Sequence, residues 1–183
     1  MSLSKYLIAC AAIATSFVVS SVASANDRDV EATTIPASAC RPRNDVADAA
    51  VGLSNGAYVF NGSATGTVIL YCPLPINRHT ISDMTNDNDI STYRVYYRDT
   101  DGMGTGAEIE TRLHYRDSAG LHGVGTTWSS NESNMTGNTI RYVDLNHNVG
   151  FDRLYFFTVI MRRTTTGQDP AFSGIDFASP PIL

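Results

Sequence analysis

The stretch Leu154-Tyr155-Phe156-Phe157-Thr158-Val159-Ile160-Met161 constrains the fold of this chain more than any other. Side chains alternate between the two sides of a strand. Here both sides are apolar, with Leu154, Phe156 and Ile160 on one and Tyr155, Phe157, Val159 and Met161 on the other. Such a strand is expected in the middle of a sheet and covered on both faces. It comes late in the chain, so earlier strands must fold back around it.

The remaining segments carry the same two-residue period. Ala57–Phe60 and Thr67–Cys72 read as strands, the second stopped by Pro73 and Pro75. In Ser91–Arg98, Tyr93, Val95 and Tyr97 face one way and Arg94, Tyr96 and Arg98 the other. In Ala107–Arg116, Ile109, Thr111, Leu113 and Tyr115 point inward, leaving Glu108, Glu110, Arg112, His114 and Arg116 outside. Thr139–Leu145 and Phe172–Phe177 complete the clear strands, and a short one is expected near His79–Met84. Val46–Leu53 allows one helical turn, Leu121–Asn138 reads mostly as loop, and Pro180-Pro181 as a tail. About eight short strands separated by turn signals predict an all-β, antiparallel β-sandwich, jelly-roll or immunoglobulin-like in its connections. The expected division is a signal peptide over 1–25, an extended N-terminal segment over 26–56 and the sandwich over 57–183.

The first residues predict export. Lys5 precedes an apolar run that closes on Ala23-Ser24-Ala25, the pattern of a secretory signal peptide cleaved after Ala25. The run is shorter than the roughly 20 residues a membrane span needs. Removing Lys5 takes the net charge from −5 to −6 and leaves a mature chain without lysine. With no basic block, nucleic acid is an unsuitable partner. Secretion or a periplasmic location is the expectation, with no membrane association after cleavage. Cys10 leaves with the signal, and Cys40 and Cys72 are expected to form a disulfide. Closing that loop of about 30 residues would stabilise the fold by about 3–4 kcal/mol.

Ala39-Cys40, a short Tyr-containing strand, and Val68-Ile69-Leu70-Tyr71-Cys72-Pro73-Leu74-Pro75 recur in a recognisable order. With the late strand Leu154–Met161 and Phe172-Ser173-Gly174-Ile175, this pattern resembles a loose group of bacterial exported β-sandwich proteins. The resemblance covers most of the mature chain. It implies a secreted sandwich with one disulfide, and brings neither an activity nor site residues.

Candidate sites come from the outward-facing residues. If Ser91–Arg98 pairs with Ala107–Arg116, then Arg94, Tyr96, Arg112 and His114 share one polar platform for a glycan; otherwise they are ordinary cross-strand charge pairs. Trp128, the only tryptophan, either stacks on a sugar or packs at the rim of the sandwich. The acidic loops place Asp87, Asp89, Asp99 and Asp101 as oxygen donors for calcium, the one cofactor considered; turn chemistry accounts for them equally. No catalytic residue is assigned: there is no His-Glu-x-x-His pair and no Walker loop. Glu108 and Glu110 lie about 7 Å apart along one strand face, within the range of glycosidase carboxylate pairs. The sequence therefore supports an exported non-enzymatic module that binds a glycan or cell-surface component. Its rivals are an assembly subunit adding Asn26–Ile35 to a neighbour's sheet edge and a small secreted hydrolase using Glu108 and Glu110.

Overall fold

The computed structural model describes residues 33–75, 89–150 and 152–177. The chain passes through β1 (Thr33–Pro36), a 3-10 turn, β2 (Arg41–Pro42), α1 (Asp45–Ala50), β3 (Val51–Ser54), β4 (Ala57–Phe60) and β5 (Gly66–Pro73). It continues through β6 (Asp89–Asp99), β7 (Ala107–Asp117), β8 (Gly120–Ser129), a second 3-10 turn, β9 (Gly137–Asn148), β10 (Leu154–Arg163) and β11 (Ala171–Phe177). The expected signal peptide, the strand near His79–Met84 and the Pro180-Pro181 tail lie outside the described residues.

Two antiparallel sheets make a β-sandwich. The first runs β3-β4-β11-β6-β9, with β1 also paired to β11, and the second runs β2-β5-β10-β7-β8. The sheets take in β1, β2 and β3, which precede Ala57, as well as the strands from Ala57 onward. Asn44 caps α1 through its side chain, which accepts from the Ala47 N–H at 3.0 Å. The helix stops after Ala50 because Val51 is already extended and paired with Phe60. Thr33, Thr34 and Ile35 pair with Phe177, Asp176 and Ile175 of the chain's own sheet. This described end of the segment considered for strand addition is thus occupied within the molecule, with Ile35 1% exposed.

Between the sheets lie Leu70, Tyr93, Ile109, Leu113, Phe157 and Phe172, all buried. The Tyr93 and Phe157 rings meet 4.9 Å apart. Tyr93 also carries a hydroxyl into the core, where it needs a partner. It finds Thr111 Oγ1 at 2.9 Å on the facing sheet. Burial pushes the Tyr93 phenol up to about 12. The disulfide Cys40–Cys72 pins the segment between β1 and β2 onto β5, with both cysteines fully buried.

Two expectations are corrected. β10 does sit centrally, between β5 and β7. Its inner residues Tyr155, Phe157, Val159 and Met161 are buried, but its other face is not covered by a second layer: Leu154 is 72% exposed, and Phe156 and Ile160 are half-buried. Neighbouring side chains on the same sheet shelter that face instead. Leu121–Ser129, expected as loop, is most of β8. Val124 and Trp128 both turn inward, but at the register shift between them Thr126, which the alternation would also turn inward, is polar and exposed, and this interrupts the two-residue period.

Candidate functional site

The open face of the second sheet is ordered by strand register. Across it, Tyr71 lies beside Thr158, which lies beside Arg112. The next row is Pro73, Phe156, His114 and Gly123, and on the other side comes Ile69, Ile160, Glu110 and Ser129. These rows place an apolar and aromatic strip at the centre of the face. Tyr71 meets Phe156 edge-on at 5.8 Å, and His114 stacks on Phe156 at 5.4 Å with a 15° interplanar angle. Ile69, Tyr71, Arg112, His114, Thr158 and Ile160 line a groove of about 270 Å³, with Thr127 at the β8 rim, and Phe156 adjoins it through its ring contacts with Tyr71 and His114.

The polar groups around the strip fall into two kinds. Glu110 is occupied: its two carboxylate oxygens accept from Arg162 at 2.7 and 3.2 Å. Arg162 also bonds Glu108, which accepts from the Ser129 hydroxyl at 2.5 Å as well. Both carboxylates of the hydrolase reading thus share one guanidinium. Arg112 is different. It lies flat over Gly123, where a Cβ would fall 2.5 Å from Arg112 Nη2, and its Nε is buried without a hydrogen-bond partner. His114 Nε2 is 3.0 Å from Thr158 Oγ1, while its Nδ1 is sealed without a partner. Burial, and then the Arg112 charge, hold the His114 imidazole below its ordinary range, which favours the neutral ring.

The single platform predicted for Arg94, Tyr96, Arg112 and His114 does not exist. β6 and β7 are consecutive in the chain but belong to different sheets, so the first two residues and the last two lie on opposite outer faces of the sandwich. Residues 100–106 cross between the sheets instead of closing a hairpin. Arg94 and Tyr96 form a closed set: Arg94 Nε and Nη2 both donate to Asp176 at 2.6 Å, and the Tyr96 hydroxyl donates to Asp176 at 2.8 Å. That pairing, above all, raises the Arg94 guanidinium pKa. Trp128 is 5% exposed and meets Tyr97 edge-on at 5.1 Å inside the core, so its ring offers no face to a sugar.

The crossing loop explains two of the acidic candidates. Asp101 accepts from the N–H groups of Gly106 at 2.7 Å and Ala107 at 3.1 Å. Asp99, fully buried, accepts from the Ser130 hydroxyl at 2.5 Å and the Asp101 N–H at 3.1 Å, and burial raises its pKa. Donor hydrogens point at these oxygens, an arrangement for bracing a loop rather than for holding a cation. Asp87 and the side chain of Asp89 lie outside the described residues. Among the described residues no group of three or more His, Cys, Asp or Glu side chains is placed to hold a metal ion.

Reading the sequence missed Ile69, Tyr71, Phe156, Thr158 and Ile160 as site residues. The available signal was the second apolar side of the central strand, which was assigned to the core. It also passed over Gly52-Leu53-Ser54-Asn55-Gly56, which spells the nucleophile-elbow pattern. That pattern needs a strand-to-helix turn. Here Asn55 and Gly56, at φ 50° and 82°, form the two-residue turn between β3 and β4.

No protein-family model and no curated protein matches the sequence. Solved structures do. Among them are carbohydrate-binding modules. One is the CBM36-1 domain of a multidomain xylanase from the hindgut metagenome of Trinervitermes trinervoides, at 10% identity and a TM-score of 0.42, covering 82% of this chain and 99% of that one. A family 61 module in complex with β-1,4-galactotriose matches at 10% identity and a TM-score of 0.37, covering 81% and 87%. A family two carbohydrate esterase from Cellvibrio japonicus matches at 12% identity and a TM-score of 0.38, covering 83% of this chain but 36% of the esterase. At these identities and TM-scores the likeness adds nothing to the two-sheet architecture that the strand pairing shows.

Proposed function

We propose that this chain is an exported, non-enzymatic module that binds a glycan on the open face of its second sheet. The observation that carries this reading is the half-sheltered strip of Tyr71, Phe156, Ile69 and Ile160, bordered by Arg112, His114, Thr158 and Thr127. A pyranose ring has one comparable geometry: apolar C–H faces and an equator of hydroxyls. The strip takes the C–H face, as aromatic and aliphatic side chains do. The hydroxyls and the guanidinium at its borders take the equator. The apolar strip stays partly uncovered in the free molecule, so a ligand that covers it gains the area term directly.

A glycan panel titrated against the purified protein tests this. Phe156→Ala is expected to weaken binding about tenfold or more while leaving the far-ultraviolet circular dichroism unchanged. Undiminished binding in Phe156→Ala would remove the face from the proposal.

A further inference from the structure

Among the described residues, the arginines separate into two groups, and one member stands apart. Arg94 is paired with Asp176, Arg98 with Asp169, and Arg162 with Glu108 and Glu110. Arg163 donates to the carbonyls of Gly62, Ala64 and Thr166, and Arg153 lies 4.5 Å over the Tyr115 ring. Arg41, Arg43, Arg116 and Arg141 are solvent-exposed. Among the described arginines, Arg112 is the one that is half-buried in the groove on the open face of the second sheet with its Nε lacking any acceptor. A sheltered guanidinium without an acceptor is unfavourable. The fork geometry of arginine matches a carboxylate or an oxyanion in two parallel bonds.

The surroundings reinforce this. The nearest carboxylate in the groove, Glu110, is engaged on both oxygens by Arg162. Arg41 stands opposite Tyr71 in the β2–β5 register, so it emerges on the same face at the rim. His114 brings no negative charge. A cationic seat therefore sits beside an apolar strip on a molecule whose net charge is −5.

We infer that the groove selects an acidic saccharide, with its carboxylate or sulfate on Arg112 and its ring on Tyr71 and Phe156. This rests on the glycan reading above and narrows it. The carboxylate and the sulfate are two sources of the same anionic group. The absence of a side chain at Gly123 leaves the guanidinium room to lie against the β8 backbone, because a Cβ there would displace it.

The test titrates the full protein with three probes by calorimetry: oligogalacturonate, the same oligosaccharide with its carboxyls reduced, and a sulfated galactan oligosaccharide. The expected result is about tenfold or greater preference for at least one anionic probe over the reduced one, weakened by added salt. Arg112→Gln is expected to erase the preference, and Arg112→Lys to restore only part of it, since an ammonium lacks the fork. Preference for one anion alone supports the inference and names the group. Equal binding of reduced and acidic probes overturns the inference and leaves the glycan reading standing. Binding of no probe and of no glycan in the wider panel overturns both. The wild-type comparison and its salt dependence decide the matter even if a variant fails to fold.

Discussion

At the scale of single residues, side chains with similar letters have opposite fates. Arg94 and Arg112 both sit on outward positions of long strands, yet one is locked to Asp176 and the other has no acceptor for its Nε. The Asp176 side chain is only 7% exposed. Asp176→Asn strips the charge from a partner that Arg94 and Tyr96 both use. It is expected to destabilise the protein by about 3 kcal/mol, the scale for breaking a sheltered ion pair from one side, as measured by urea unfolding. His114 supplies a pH signature. Burial first and Arg112 second place its folded pKa below the ordinary 6.5. The unfolded chain therefore binds the proton more readily. The stability this neutral ring contributes is complete above pH 6.5 and is lost as pH falls through the depressed value. The melting-temperature gap between wild type and His114→Gln is expected to narrow on acidification below 6.5; a constant gap would contradict the assignment.

At the scale of elements, the instructive cases are β8, β10 and β11. β10 was legible as a central strand because its inner side is an unbroken apolar row. Its outer side was misread because apolar letters do not distinguish a face buried under a second layer from one half-sheltered by neighbouring side chains of its own sheet. β8 escaped notice because at the register shift between Val124 and Trp128 the polar, exposed Thr126 stands where the alternation calls for an inward apolar residue. β11 carries its own irregularity between Phe172 and Gly174, where Gly174 adopts φ 151° and a Cβ would meet the Ile35 carbonyl oxygen at 2.7 Å. The atom the Cβ would meet is backbone, with no flexible side chain to yield. Gly174→Ala is expected to lose roughly 1–3 kcal/mol through overpacking and backbone strain, read as a lower midpoint in chemical denaturation. It should also loosen β1, detectable as faster amide exchange at Ile35.

At the scale of the whole molecule, the Cys40–Cys72 bond joins the segment beside β1, in one sheet, to β5, in the other. The cysteines are 32 residues apart, so the link removes chain entropy from the unfolded state. Replacing both with alanine is expected to lower stability by about 3–4 kcal/mol, as a fall in melting temperature that reducing agent reproduces in the wild type. The two-sheet arrangement also sets where function can lie. It puts a neutralised aromatic and arginine cluster on one outer face and the open groove on the other. A ligand on the second sheet never touches Arg94 or Tyr96, so alanine there is expected to leave glycan binding unchanged.

The periodic alternation in Ser91–Arg98 and Ala107–Arg116 determined by itself which side chains point inward, because the pleat allows no other arrangement. It likewise announced an all-β sandwich, and Cys40 and Cys72 announced the bridge between them. Which strands share a sheet was decided only in three dimensions. The segment between Asp99 and Ala107 is long enough either to fold into a loose hairpin or to cross the sandwich. The choice rests on Asp99 and Asp101 gathering the Ser130 hydroxyl and the Gly106 and Ala107 N–H groups, partners that adjacency in sequence does not reveal. The groove is likewise tertiary. Tyr71, Phe156 and Arg112 come from three strands far apart in the chain, and only the registers of β5, β10 and β7 bring an aromatic strip and an unpaired guanidinium side by side.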